Sequence, residues 1–225
     1  QSIFLTIVNS RFAMKSQIFK AISFAFIFAT LSNSLKSQSI LWQKSIGGSS
    51  TDKISAAIID NEGNILIAGT SGSDISEFKS EDNLGSLDFW IVKMDQDGNI
   101  IWENTIGGNA EDFACCVKQT LDGGYIVGGY SFSDNTFDKT SDAFGEQDYW
   151  VVKLDYDGNV EWDKSFGGYD EDLLFDIEVT SDGGYILMGE SGSDDNGNKT
   201  IERCYSAISW PDYWFLKLDA AGEIV

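Results

Sequence analysis

An apolar run broken only by Lys93 spans Phe89–Met94 between two aspartates, with Trp90, Val92 and Met94 projecting to one side and Phe89, Ile91 and Lys93 to the other, as side chains of a β-strand do. The same eight-residue pattern, DFWIVKMD, returns as DYWVVKLD at 148–155 and DYWFLKLD at 212–219. The tryptophan side of each strand is expected to be the buried one. Other short apolar runs complete the first set, giving strands at about 40–46, 53–60, 64–70 and 88–95. No helical period occurs after residue 39. Tight hairpins are expected at Asn61–Asn64, at Asp-Gly-Gly (122–124 and 182–184) and at Asp-Gly-Asn (97–99 and 157–159), because glycine and asparagine tolerate positive φ. The remaining connections are GGxxxD segments and the long stretches 72–87, 132–147 and 192–211, and the single proline is Pro211.

These elements recur every 60 residues. Trp42, Trp102 and Trp162 head the copies, the pairs Gly47-Gly48, Gly107-Gly108 and Gly167-Gly168 follow, and Asp52, Asp112 and Asp172 come four residues later. The third DxW motif arrives four residues late, so the loop before it has grown by four. A period of this size marks a supersecondary unit that stacks on its neighbours to bury a shared core. The copies cover about 40–99, 100–159 and 160–225, and together with residue 39 they make one repeat domain, 39–225.

Four antiparallel strands per copy, joined alternately by tight turns and longer loops, describe the blade of an all-β β-propeller. The order DGGYIxxGxxxSxD, DxWxxKLDxxGxxxW and GG resembles the SBBP-type repeats of bacterial secreted β-propellers, especially those of Bacteroidetes surface proteins. The resemblance covers 40–225. It implies that the strand entering the Asp-Gly-Gly turn is innermost and that the Trp42-type strands are outermost, with 40–46 closing a ring as a clasp. Three copies fall short of a closed ring, which takes at least four blades. The chain therefore reads as the N-terminal part of a longer gene product, with self-assembly of several copies as the alternative if the chain is complete.

The N-terminal 38 residues stand outside the repeat. From Met14, taken as the start, Lys15 and Lys20 precede the apolar run 21–31 and then small polar residues, the layout of a signal peptide. The chain is thus expected to be secreted or held at the cell surface, with no membrane insertion once the signal is removed. The whole chain carries −21; residues 1–38 hold four basic side chains (Arg11, Lys15, Lys20, Lys36) and no acid, leaving 11 basic against 36 acidic residues, or −25, for the rest. Such a surface repels nucleic acid, whose phosphates need clustered Lys and Arg, and suits cations or a basic partner. The three cysteines, Cys115, Cys116 and Cys204, support no disulfide framework, and the first two read as small buried hydrophobes.

Histidine is absent, which removes Ser-His-Asp hydrolysis and His-ligated zinc. The repeated Asp52, Asp112, Asp172, Asp88, Asp148 and Asp212 read as structural, each accepting backbone N–H groups at a loop-to-strand junction. Asp95-x-Asp97-Gly98-Asn99 and its copy at 155–159 lack the spacing of an EF-hand and read as hairpin turns. The long loops are acidic and the least repetitive parts. No cofactor is expected apart from calcium, for which the candidate ligands are Asp74, Asp134, Asp138, Asp194, Asn196 and Asn198. Trp210, outside the repeated set, is expected to pack over a blade edge. The reading reached is an exported, non-enzymatic scaffold for extracellular binding or adhesion to a protein or glycan on the acidic loop face. The alternatives are a carboxylate-dependent glycan-active enzyme, whose two acids flank the scissile bond, and a spacer module of a larger surface protein.

Overall fold

The computed structural model describes residues 40–204 and 210–225; the expected signal peptide lies outside them. The chain divides into two units, Gln1–Leu41 and Trp42–Val225. Among the described residues the second unit carries eleven strands and no helix. The first sheet is β1 (Asp52–Ile59), β2 (Ile65–Ser71), β3 (Asp88–Met94) and β4 (Ile100–Ile106). The second is β5 (Asp112–Gln119), β6 (Tyr125–Ser131), β7 (Asp148–Leu154) and β8 (Val160–Phe166). The third is β9 (Asp172–Val179), β10 (Tyr185–Ser191) and β11 (Asp212–Leu218). Each is an antiparallel meander in chain order.

Two expectations change. First, 40–46 was expected to be a strand; the sheets are offset from the sequence copies by one strand, as the clasp arrangement implies, with Trp102 and Trp162 in the last strands of the first and second sheets. Their counterpart 40–46 forms no strand, since among the described residues no strand lies beside it to pair with. Second, both faces of β3 and β7 are buried, not the tryptophan face alone. The physical reason is stacking. β5 lies across β1, β2 and β3, and β9 lies across β5, β6 and β7, so an inner strand meets a neighbouring sheet on each side.

One core fills the space between the first two sheets, with Phe89 and Ile91 meeting Trp150, Val152 and Leu154. A second core repeats it, with Tyr149 and Val151 meeting Trp214, Leu216 and Leu218. The ring of Phe89 sits 4.7 Å from Trp150 and that of Tyr149 4.9 Å from Trp214, both tilted. Such pairs add about 0.5–1.5 kcal/mol each beyond burial. A third cluster lines the other face of the first sheet, where Trp90, Val92 and Met94 meet Ile46, Ile65, Ile67 and Ile100.

The two ends of the sheets differ in chemistry. At the tight-turn end, the lysine of each DxWxxK motif meets acids of the turns. Lys93 Nζ lies 3.5 Å from Asp60 and 3.3 Å from the centre of the Tyr156 ring; Lys153 Nζ bonds Glu161 at 2.7 Å and Asp122 at 3.0 Å. Trp102 donates its indole N–H to the Tyr156 carbonyl (3.2 Å) and lies flat on Gly158. A Cβ there would stand 2.9 Å from the indole, and φ is 89°, so this turn of the following sheet requires glycine. Trp162 rests on Gly222 in the same way, and Trp42 on Gly98. At the other end, the long loops meet the GGxxxD turns, and the backbone N–H groups of Asp112 and Asp172 donate across to Leu87 and Gln147 of the preceding sheet, each at 2.7 Å.

Candidate functional site: the acidic loop face

Every repeated aspartate on this face accepts backbone N–H groups. Asp52, Asp112 and Asp172 take the second glycine of their GG pair at 2.8, 2.8 and 2.7 Å, and each also accepts a serine hydroxyl, from Ser73, Ser133 and Ser193. Asp88, Asp148 and Asp212 take the amides of Leu84, Phe144 and Cys204 at 2.6, 2.7 and 2.6 Å and so tie off the long loops. The other oxygen, Oδ1, of Asp88 and Asp148 is buried without a donor, while the hydroxyls of Ser131 and Ser191 lie against Asp112 and Asp172. Burial raises the carboxyl pKa of Asp112 and Asp148 to about 6, and it raises Asp88 and Asp172 as well. Asp148 and Asp172 converge on Gly167, where a Cβ would lie 1.9 Å from Asp148 Oδ1 and 2.8 Å from Asp172 Oδ2.

Three buried lysines compensate this charge. Lys79, Lys139 and Lys199 are 1–4% exposed. Their ammonium groups donate to the backbone carbonyls of Glu81 (2.7 Å), Ser141 (2.7 Å) and Ser193. Burial lowers their pKa, while the field of Asp148 and Asp112 at Lys139, and of Asp88 and Asp52 at Lys79, opposes the shift. Reading for acids alone missed these residues, although their spacing of 60 was visible.

The calcium candidates are dispersed over this face. Asn198 accepts the Gly167 amide and donates to the Ser165 carbonyl, both at 2.9 Å. Asn196 accepts the Tyr169 amide at 2.6 Å, and Asp194 pairs with Arg203 at 2.9 Å. Asp74 lies in the 72–87 loop, and Asp134 and Asp138 lie in the next. Among the described residues no three acidic or cysteine side chains come together as a metal site. Trp210 is 75% exposed rather than packed against an edge, its neighbours 205–209 being outside the described residues. Cys116 is buried, Cys115 half-buried and Cys204 exposed, all as free thiols.

The two junctions between sheets share a backbone plan but differ in their side chains. At the second, Ser141 Oγ meets Ser165 Oγ at 2.8 Å and Asn198 bridges to Gly167 and Ser165, so its polar groups satisfy one another. At the first, the equivalent positions hold Glu81, Thr105 and Asp138. Here a cavity of about 360 Å³ opens, lined by Glu81, Asp82, Leu84, Asn104, Thr105 and Asp138. Glu81 accepts the Thr105 amide at 2.7 Å, while the buried Thr105 hydroxyl has no partner. Partial burial, together with repulsion from Glu81, raises the pKa of Asp138. Phe137, next in the chain, is 65% exposed and holds φ at 51°, where the next copy has Gly197. A phenylalanine in the left-handed region is strained, and such strain gathers at functional sites. Nothing in the sequence singled out Thr105 or Phe137; their departure from the repeat was the available signal.

No protein-family profile matches the sequence. A regulatory protein, FlaEY, of Caulobacter vibrioides is 25% identical over 171 residues, a stretch covering 72% of this chain and 17% of that protein. The chain thus spans less than a fifth of the relative it matches.

Proposed function

We propose that this chain is an exported, non-enzymatic β-propeller scaffold that binds an extracellular protein or glycan partner at the acidic loop face. The observation that carries the reading is the open, acid-lined cavity at the first junction. The same position at the second junction is closed by its own hydrogen bonds. A partner offering N–H or O–H donors, above all on a cationic group, would meet the carboxylates of Glu81 and Asp138 together. The exposed ring of Phe137 offers an apolar surface beside them. The propeller arrangement is supported by the stacked antiparallel meanders, two of four strands and one of three, and by the way the first strands of the second and third sheets cover the sheet before them. Export rests on the n-region and apolar run after Met14.

The test transplants the closed junction into the open one. The triple variant Glu81→Ser, Thr105→Ser, Asp138→Asn installs the residues that the second junction already accommodates. Binding of a lysine hexapeptide, a chitosan hexamer and an uncharged chitin hexamer to the full chain is compared by surface plasmon resonance. Salt-sensitive binding of a cationic probe that disappears in the triple variant, with unfolding unchanged, supports the reading. Binding that survives in the triple variant, or no binding by any probe, overturns it. The glycan-active enzyme has one feature in its favour, the raised Asp138 beside Glu81; cleavage of a hexamer in the same samples would decide for it.

A further inference from the structure

The chain has one Asn-Gly pair, Asn196-Gly197, in the loop 192–211 beside the GG turn of the second junction. We propose that Asn196 modifies itself there: the Gly197 amide closes on the Asn196 carboxamide to form a cyclic imide, which water opens to an aspartyl or isoaspartyl residue. The Gly197 nitrogen attacks Cγ of Asn196 as its proton passes to hydroxide, and the intermediate collapses by expelling Nδ2 as ammonia. Water then adds to either carbonyl of the imide. Breaking one C–N bond leaves an aspartyl residue in an ordinary backbone; breaking the other leaves isoaspartate, whose backbone is longer by a methylene. The sum is water in and ammonia out, with no cofactor or second protein required.

The local structure prepares each part of the step. Among the described residues the Gly197 N–H has no acceptor, although the amides on either side are held, that of Asn196 by the Asp194 carbonyl (2.9 Å) and that of Asn198 by the Gly167 carbonyl (3.1 Å). The attacking nitrogen therefore gives up no hydrogen bond. The electrophile is polarised, because Oδ1 of Asn196 accepts the Tyr169 amide at 2.6 Å. That donor stays on the oxygen as negative charge develops there, as the donor of an oxyanion hole does. The leaving nitrogen, Nδ2, bonds to none of the described residues, whereas that of Asn198 is tied to the Ser165 carbonyl at 2.9 Å. Gly197 itself is required: φ is 63° and a Cβ would stand 2.3 Å from the Gly167 carbonyl. The turn thus places beside Asn196 the residue least able to hinder ring closure.

The fold does not need an amide at this position. Thr136 holds it in the preceding copy, where its hydroxyl accepts the Asn109 amide at 2.9 Å and Phe137 follows. Ser76 and Glu77 hold it in the first copy. The reactive pair is confined to the junction that the chain closes with its own hydrogen bonds. An aspartyl product keeps an oxygen for Tyr169 and adds a negative charge. An isoaspartyl product displaces that oxygen and stretches the turn that Lys199 closes by donating to the Asn196 carbonyl at 3.1 Å. Asn198, which bridges Gly167 and Ser165 at 2.9 Å each, lies inside that turn, so isoaspartate loosens the clasp of the second junction.

The full chain is held at neutral pH, sampled over time and digested, and residue 196 is followed by mass spectrometry with fragmentation that separates aspartyl from isoaspartyl products. The same chain in guanidinium chloride gives the rate of the unrestrained pair. Conversion at Asn196 ahead of every other asparagine, and several-fold faster in the folded chain than in the unfolded one, is the expected result. Asn196→Thr, which installs the residue already used at position 136, should fold and lose the early conversion. A folded chain that converts Asn196 no faster than the unfolded chain overturns the proposal. Earlier conversion at another asparagine, or an early mass rise that persists in Asn196→Thr, overturns it as well.

Discussion

Asp148→Asn should stabilise the protein at neutral pH, although it removes one of the residues repeated in all three copies. Asp148 Oδ2 accepts the Phe144 amide, while Oδ1 is buried without a donor and faces Asp172 across Gly167. Burial first, and then the charge of Asp172, lifts its pKa from 3.8 to about 6. A shift of about 2 units corresponds to roughly 3 kcal/mol. The native state holds this proton more tightly than the unfolded chain. Stability from this group is therefore fully present below about pH 4, falls as pH rises to about 6, and stays low above that. The carboxamide keeps an oxygen for Phe144 and turns an N–H towards Asp172, replacing a repulsion with a hydrogen bond. Urea unfolding of parent and variant at several pH values between about 4 and 8 measures the difference. The variant should match the parent near pH 4 and exceed it by up to about 3 kcal/mol above pH 6. A variant less stable than the parent at neutral pH, or a difference that does not change with pH, would refute the reasoning.

Gly167→Ala drives a methyl group to within 1.9 Å of Asp148 Oδ1 and 2.8 Å of Asp172 Oδ2, and should destabilise by about 1–3 kcal/mol in urea, as overpacking does. Lys139→Met leaves Asp163, Asp148 and Asp112 without their buried cation; a loss of about 3–5 kcal/mol is expected at pH 7, shrinking towards pH 4 as Asp112 and Asp148 protonate while Asp163 stays charged. Because Lys79, Lys139 and Lys199 already occupy this face as buried cations, millimolar calcium should leave the thermal midpoint in place, and a saturable rise would contradict that assignment. In the native chain a thiol reagent at about pH 8 should titrate one cysteine rapidly, the exposed Cys204, since burial pushes Cys115 to about 11 and Cys116 to about 12 and only the thiolate reacts.

Strands and turns were legible in the sequence because their signals are local. The apolar run Phe89–Met94 located β3 to within a residue, and Asp95-x-Asp97-Gly98-Asn99 marked a hairpin in which Asp95 accepts the Asp97 and Asn99 amides at 2.9 and 2.8 Å. The burial of both faces was signalled only by the unbroken apolar runs Phe89–Val92 and Tyr149–Val152, which the expectation of a single buried tryptophan face set aside. Lys93 shows the difficulty. An isolated strand places it on the solvent side, whereas the stack encloses it between Asp60 and the ring of Tyr156. Lys139 was hidden for a similar reason: a lone lysine in an acidic loop reads as solvated, and only the fold brings Asp112, Asp148 and Asp163 around it.

The candidate site follows from comparing copies rather than from any one of them. Glu81 and Asp138 are ordinary surface acids when read alone. Set against Ser141 and Asn198 on the same backbone, they mark the junction where the chain gives up hydrogen bonds that the fold makes elsewhere. Leaving a buried hydroxyl unpaired costs about 1–3 kcal/mol, and Thr105 does so at a position where Ser165 finds a partner. The strained Phe137 adds a further cost where a glycine serves in the next copy. Three departures at one junction, each unfavourable to the isolated chain, are what a site built to be completed by a bound partner would carry. An ornament of sequence drift would instead scatter such losses evenly over both junctions.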